Sequence, residues 1–286
     1  MEDYWFLLTI LITLSIGIVA FINKIFAEKK YNVQLTALIL YAMMFFISLC
    51  VGLLLWFSSL SELGILNTFL CILWWVQFYV YSLIMMNALK YLPTSTYFIT
   101  VRLSSSFLLL WVWILFFWDD ISLKELLGFV LWIVAMCLLF EKQNSPKKDL
   151  KTWLLFILLW IFTLAFGHSI TKILSFEIEH VPLLLSIAFA SAFFPALIVG
   201  YTHIRTNLYQ LRDICRINII QTGFYFFYFY ALFYVYNLGD LGISYKIQSY
   251  SPFIPIILAA IIYREKISLK QWIWIVITSL SLYFFT

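Results

Sequence analysis

At 286 residues the chain is 64% apolar and 11% charged, with a formal net charge of +4. A soluble domain of that length needs roughly a quarter charged residues to cover its surface. The composition therefore excludes a soluble protein, leaves no stretch for a separate soluble domain, and points to an all-α integral membrane protein with no nucleic-acid partner.

Runs of about 20 apolar residues, each enough for roughly 30 Å of hydrocarbon, alternate with polar breaks from end to end. They predict ten transmembrane helices near 4–24, 33–57, 65–88, 94–117, 122–140, 152–174, 181–203, 214–237, 241–263 and 268–286. The opening Met1-Glu2-Asp3 is acidic where a signal peptide is basic, and the first run is long enough to span, so no cleaved leader is expected. Cys50, Cys71, Cys137 and Cys215 are far apart, without CxxC or zinc-type spacing, and read as small hydrophobes. One break is long and strongly polar, Glu141-Lys142-Gln143-Asn144-Ser145-Pro146-Lys147-Lys148-Asp149. It divides the chain into a first five-helix repeat (1–140), a cytoplasmic linker (141–151) and a second five-helix repeat (152–286).

The division is marked by a phrase that occurs twice. Asp119-Asp120-Ile121-Ser122-Leu123-Lys124 returns at an offset of 146 as Glu265-Lys266-Ile267-Ser268-Leu269-Lys270. At that offset Ser104-Ser105-Ser106-Phe107 lies over Tyr250-Ser251-Pro252-Phe253, and after a two-residue slip Lys24 lies over Lys172. A unit with an odd number of spans, repeated in tandem, enters the membrane in opposite directions. The expected result is a pair of inverted repeats about an axis in the membrane plane.

Lys and Arg give an independent test. The loops after spans one, three, five, seven and nine carry 14 of the 18: Lys24, Lys29, Lys30, Lys90, Lys142, Lys147, Lys148, Lys151, Arg205, Arg212, Arg216, Arg264, Lys266 and Lys270. The opposite side has only Lys124 and Lys172. The expected placement is multi-pass in the cell membrane, with both termini outside the cytoplasm.

Over essentially its whole length, and most specifically from Tyr234 onward, the chain resembles the drug/metabolite transporter superfamily, in its ten-helix EamA-type branch. The likeness rests on a polar ninth helix, Ser251-Pro252-Phe253, an apolar run, and Arg264-Glu265-Lys266-Ile267-Ser268-Leu269-Lys270-Gln271 opening the tenth. The family's closing helices usually begin with Gly; Gly128 meets that pattern, whereas Trp274 or Ile275 stands in the second copy. The resemblance implies a transporter of small organic solutes with a central cavity between the halves, and it names no solute. Many relatives are believed to keep their termini in the cytoplasm; the charge distribution here argues the reverse.

Two basic residues fall inside spans and away from their ends, Arg102 in the fourth and Lys246 in the ninth, which are equivalents across the repeat. An ionisable group within a span costs about 2.5–3.5 kcal/mol on insertion scales and usually faces a polar interior. At 1.5 Å per residue they lie about 12 Å and about 8 Å deep from opposite faces. No Asp or Glu lies within a span beyond its first turn, where Glu125 opens span five, to neutralise them, so a cavity holding both favours an anionic ligand. Arg102 is suited to grip a carboxylate or phosphate bidentately, with Lys246 as a point charge. The sugar-phosphate branch of the superfamily is similar in placing basic residues on these two helices. Both residues are also within reach of an interface and able to snorkel.

His168 and Lys172 share a face of span six at i, i+4, as an outer vestibule, a protonation site, or an interfacial pair. Gln77, Gln221 and Gln248, with Tyr250, are candidate polar contacts to substrate, or bonds between helices. Trp75 stands for the aromatic alternative, a box for a planar or quaternary cation, although runs such as Tyr225 to Tyr230 cover every face of a helix. Pro93, Pro252 and Pro255, with Gly239 and Gly242, flank or interrupt spans four and nine as candidate hinges.

No catalytic constellation, metal-ligand cluster or cofactor motif appears, and span one lacks the buried Glu of the small multidrug resistance relatives. The reading is a non-enzymatic secondary transporter of a small, preferentially anionic or zwitterionic metabolite. An exporter of aromatic or cationic compounds is the alternative within transport. A lipid-headgroup flippase or a non-transporting membrane protein is the alternative outside it. Oligomeric state, direction and coupling ion stay open.

Overall fold

The structure is a computed structural model. It describes residues 2–55, 64–89, 166–176, 181–238, 253–264 and single positions within 123–131, 244–251 and 269–280. These residues form helices and turns, with no strand among them. The helices are α1 (Glu2–Glu28), α2 (Val33–Leu55), α3 (Ile65–Ala88), α4 (166–174), α5 (Val181–Ile204), α6 (Leu208–Leu238) and α7 (Phe253–Ile262).

Four stretches are long and apolar enough to cross a membrane: Tyr4–Glu28, Val33–Gly52, Ile65–Ala88 and Val181–Leu238. The last is too long for one crossing and is broken by a 3-10 turn at Arg205–Asn207 into α5 and α6. Those two helices run in opposite directions, as their contacts with α2 establish. Along α2 and α5, Gly200 sits against Leu38, the Phe45 and Phe193 rings stack at 5.3 Å, and Ser186 donates to the Ser48 carbonyl at 2.9 Å. Rising numbers on one helix meet falling numbers on the other, so the pair is antiparallel over its full length. Against α6 the numbers rise together: Tyr31 donates to Asp213 at 3.2 Å, and Asn218 donates to the Thr36 carbonyl at 3.1 Å. Helices α3 and α5 are likewise parallel, with Cys71 beside the Leu184 carbonyl and the Trp75 and Phe189 rings 4.5 Å apart.

The α1–α2 turn shows how local sequence sets this geometry. Lys24 does not end the first helix, because Glu28 pairs with it at 2.7 Å one turn on. The helix closes with Lys30 in the left-handed region (φ 53), where the Lys30 amide donates to the Ala27 carbonyl and that of Tyr31 to Phe26. This is a Schellman cap with Lys where Gly is usual, and the Phe26 and Tyr31 rings supply its apolar contact at 6.1 Å. Asn32 then caps α2, its side-chain oxygen accepting from the Leu35 amide at 2.9 Å. The Asn32 backbone amide in turn donates to Gln210 Oε1 at 2.9 Å. The turns 29–32 and 205–207 therefore share one end of the bundle, the end that carries Lys29, Lys30, Arg205 and Arg212.

Most observed boundaries fall close to the predicted spans, with two informative differences. Helix α6 starts at Leu208 rather than near 214, because Gln210 and Asp213 find partners in the α1–α2 turn and the helix continues past the apolar run. Span nine, expected as one helix over 241–263, is discontinuous. Residues 247–248 are helical, 250–251 form a turn with i→i−3 bonds, and α7 begins at Phe253. Pro255 lies in the first turn of α7, where its missing N–H removes no intrahelical bond.

The turn is held against the middle of α1. A Cβ built on Gly17 would lie 2.9 Å from the Ser251 carbonyl oxygen and 2.8 Å from Ile254 Cβ. Only glycine allows the two backbones this approach.

Candidate functional site

A cavity of about 40 Å³ opens between α1, α3, α4 and α6, large enough for a few waters and too small for a metabolite in this conformation. Its polar lining is Gln77 and Tyr81 from α3, His168 and Thr171 from α4, and Tyr228 from α6; Trp74 and Phe229 contribute apolar wall. Ile16, Trp74 and Gln77 lie near the middle of their helices, which places the cavity near mid-depth, while His168 and Thr171 extend it toward the end opposite the basic turns.

Helix α4 delivers His168 because Gly167 lies directly under the Trp74 indole, where a Cβ would be 2.9 Å from Nε1. The imidazole is buried, and the Tyr236 hydroxyl lies 2.7 Å from its Nδ1. Tyr236 also accepts from Gln248 Nε2 at 3.5 Å, and Gln248 Oε1 accepts from the Tyr228 hydroxyl at 3.3 Å. The ammonium of Lys172, one turn beyond His168, donates to the Tyr236 backbone carbonyl. A buried chain of side-chain bonds thus runs from the cavity wall through α6 to the helical residues just before the break in span nine.

A second polar cluster lies closer to the basic end. Gln221 donates to Asn23 Oδ1 at 2.8 Å, and Asn23 Nδ2 sits 3.7 Å from Met85 Sδ. The buried oxygens of Gln221 (Oε1), Asn218 (Oδ1) and Thr222 (Oγ1), all on one face of α6, have no hydrogen-bond partner among the described residues.

The sequence-derived candidates separate accordingly. Gln77 and His168 line the cavity, and Gln248 is joined to it through Tyr228 and Tyr236. Gln221 belongs to the second cluster, two turns of α6 away from Tyr228. Tyr250 is in the span-nine turn, half-buried, its ring 5.8 Å from that of Phe253. Trp75 is packed in an aromatic core against Phe189 at 4.5 Å and Phe229 at 4.6 Å, while its neighbour Trp74 lines the cavity. Arg102, Lys246, Pro93 and Pro252 lie outside the described residues.

Tyr228 and Tyr236 were not singled out from sequence. Both sit in an aromatic-rich helix, and only the phase of α6 shows that these two hydroxyls turn inward. Among the described residues no group of three or more His, Cys, Asp or Glu is placed to hold a metal ion.

No family model matches the chain, and no curated protein matches it by sequence. Among 19 matching chains of solved structures is a crystal structure described only as that of a protein. It has a TM-score of 0.64 at 11% identity, covering 96% of this chain and 97% of that one. At that identity the likeness concerns the fold alone, over essentially its whole length.

Proposed function

We propose that this chain is a secondary transporter of a small organic metabolite, working by alternating access between two inverted five-helix halves. The observation that carries the reading is the break in span nine. Interrupted helices at mid-depth are how inverted-repeat transporters free backbone groups beside a substrate site. Here the break abuts Gly17 of α1, and the residues just before it are bonded into the cavity through Gln248.

Helix directions support the inverted arrangement. If span two maps onto seven and span three onto eight, then α2 with α5 must be antiparallel, and the parallel pair α2 with α6 must be mirrored by α5 with α3. The observed contacts have this pattern. The two basic turns at one end agree with the charge asymmetry of the loops, and so with termini outside the cytoplasm.

An anionic or zwitterionic substrate is favoured, because span nine carries Lys246 and span four Arg102, and neither span carries an Asp or Glu. Arg102→Gln and Lys246→Gln variants in proteoliposomes test this. Loss of counterflow for anionic metabolites, with aromatic cations unaffected, supports the assignment. Unchanged anion counterflow in both variants removes it and leaves the aromatic or cationic exporter.

A further inference from the structure

We infer that three buried oxygens of α6, Asn218 Oδ1, Gln221 Oε1 and Thr222 Oγ1, form a binding site for a sodium ion where α6 meets α1 and α2. The inference goes beyond the transporter reading and does not depend on it.

Spacing brings the three together. Positions i, i+3 and i+4 lie on one face of a helix, with neighbouring Cβ atoms about 5–6 Å apart, so side chains of this length reach a common point. All three residues are at most 1% exposed. Their face is turned to the first half of the chain, since Gln221 is bonded to Asn23 of α1 and Asn218 to the Thr36 carbonyl of α2.

The direction of the amides sets the sign of the ligand. Asn218 donates Nδ2 to the Thr36 carbonyl at 3.1 Å, and turning that amide over would set oxygen against oxygen. Gln221 donates Nε2 to Asn23 Oδ1 at 2.8 Å, while Asn23 points its own Nδ2 at Met85 Sδ, 3.7 Å away. The amide donors of the cluster are thus directed at protein acceptors. What remains for a ligand is oxygen.

Thr222 strengthens the case by contrast. The other buried threonines among the described residues are Thr9, Thr13, Thr36 and Thr171. Each donates its hydroxyl to the carbonyl four residues back, at 2.7 or 2.8 Å. That bond satisfies a helical threonine within its own helix. Thr222 is as deeply buried, yet its hydroxyl makes neither that bond nor another among the described residues.

Unpartnered buried oxygens are costly, and three on one face concentrate negative potential where the dielectric is low. A cation answers all three at once. Neutral amide and hydroxyl oxygens suit a hard cation. Calcium is usually held with carboxylates, and zinc by thiolate, imidazole or carboxylate; this set has none of them, which leaves a single charge. Lys24, next to Asn23 in sequence, has its own charge balanced by Glu28 at 2.7 Å. A protonated amine carries the same charge on a larger body, and a water is the neutral alternative; the test separates both from sodium.

Purified full-length chain in bicelles is unfolded in choline chloride, with sodium substituted at constant ionic strength; choline medium is the reference for every unfolding comparison. Raising sodium from about 1 to about 100 mM should raise the folded-to-unfolded ratio about tenfold, by mass action on a millimolar site. Potassium and methylammonium should not. Thr222→Val removes the hydroxyl at nearly constant shape; it should match or exceed wild type in choline and lose the sodium response. Thr222→Ser keeps an oxygen there and should keep the response. Scintillation proximity with ²²Na⁺ should show saturable binding to wild type, displaced by unlabelled sodium. Absence of that binding overturns the inference whatever the variants do, and assigns the oxygens to a buried water. An equal sodium response in Thr222→Val, or in Asn218→Leu should the first variant not fold, puts the ion elsewhere and overturns it too. Equal protection by methylammonium assigns the oxygens to an amine instead, and equal protection by potassium removes the choice of sodium.

Discussion

Replacing Gly17 by alanine puts a single methyl group into the contact between α1 and the span-nine turn. Its carbon would lie 2.9 Å from the Ser251 carbonyl oxygen and 2.8 Å from Ile254 Cβ, and closer still to Ile254 Cδ1. Ordinary carbon contacts begin near 3.5 Å, so the neighbours must retreat by roughly half an ångström or more. The Cδ1 methyl can swing away with a rotamer change. The Ser251 carbonyl is backbone inside a hydrogen-bonded turn and moves only with the turn. Overpacking of this kind costs about 1–3 kcal/mol, and we expect about 2 kcal/mol for Gly17→Ala. Unfolding equilibria in bicelles measure it directly. Ile254→Ala should recover part of the loss, because it removes Cδ1 but leaves the carbonyl contact, and a double-mutant cycle should show coupling above about 0.5 kcal/mol. A Gly17→Ala protein as stable as wild type, with Ile254→Ala strictly additive, would refute the close approach and with it the placement of the break.

Three other outcomes are expected. Lys30→Gly should stabilise the fold by about 1 kcal/mol, because Lys30 occupies the left-handed region at the α1 cap and glycine removes that strain; the same unfolding assay reads it. Gln221→Leu should change stability by no more than about 1 kcal/mol, since one bond to Asn23 is lost while a buried, partnerless carbonyl is also removed. In a background without native cysteines, Gly64→Cys should react with an impermeant thiol reagent from outside and Lys148→Cys only from the cytoplasm; the opposite pattern reverses the assigned orientation.

Much of this architecture is legible in the residues themselves. Hydropathy placed the starts of α2, α3 and α5 at 33, 65 and 181, where they are observed, because a bilayer leaves the backbone little choice but a continuous helix. The pairing of basic turns at one end was visible in Lys29, Lys30, Arg205 and Arg212. What hydropathy does not encode is whether a backbone amide inside an apolar run finds its i−4 carbonyl. Ser251-Pro252 gave a hint of weakness in span nine, yet the break becomes definite only where Gly17 lets α1 approach the turn.

The site follows the same division. Gln77, His168 and Gln248 stand out as polar residues in apolar runs, and each is found at or joined to the cavity. Tyr228 and Tyr236 do not stand out, because α6 is rich in Tyr and Phe on all sides and inward phase is a property of packing. Trp75 and Trp74 differ by one position, about 100° around α3, and that rotation puts one in the aromatic core and the other on the cavity wall.

The central claim, transport by alternating access around the mid-depth cavity, is tested most directly by counterflow. Purified protein in sealed proteoliposomes, preloaded with pools of organic phosphates, carboxylates, amino acids and quaternary amines, is presented with the radiolabelled counterpart at trace concentration. The account predicts transient accumulation for at least one soluble pool, strongest among the anionic or zwitterionic compounds and absent from protein-free vesicles. No accumulation from any pool, together with movement of labelled phospholipid between leaflets, would contradict it.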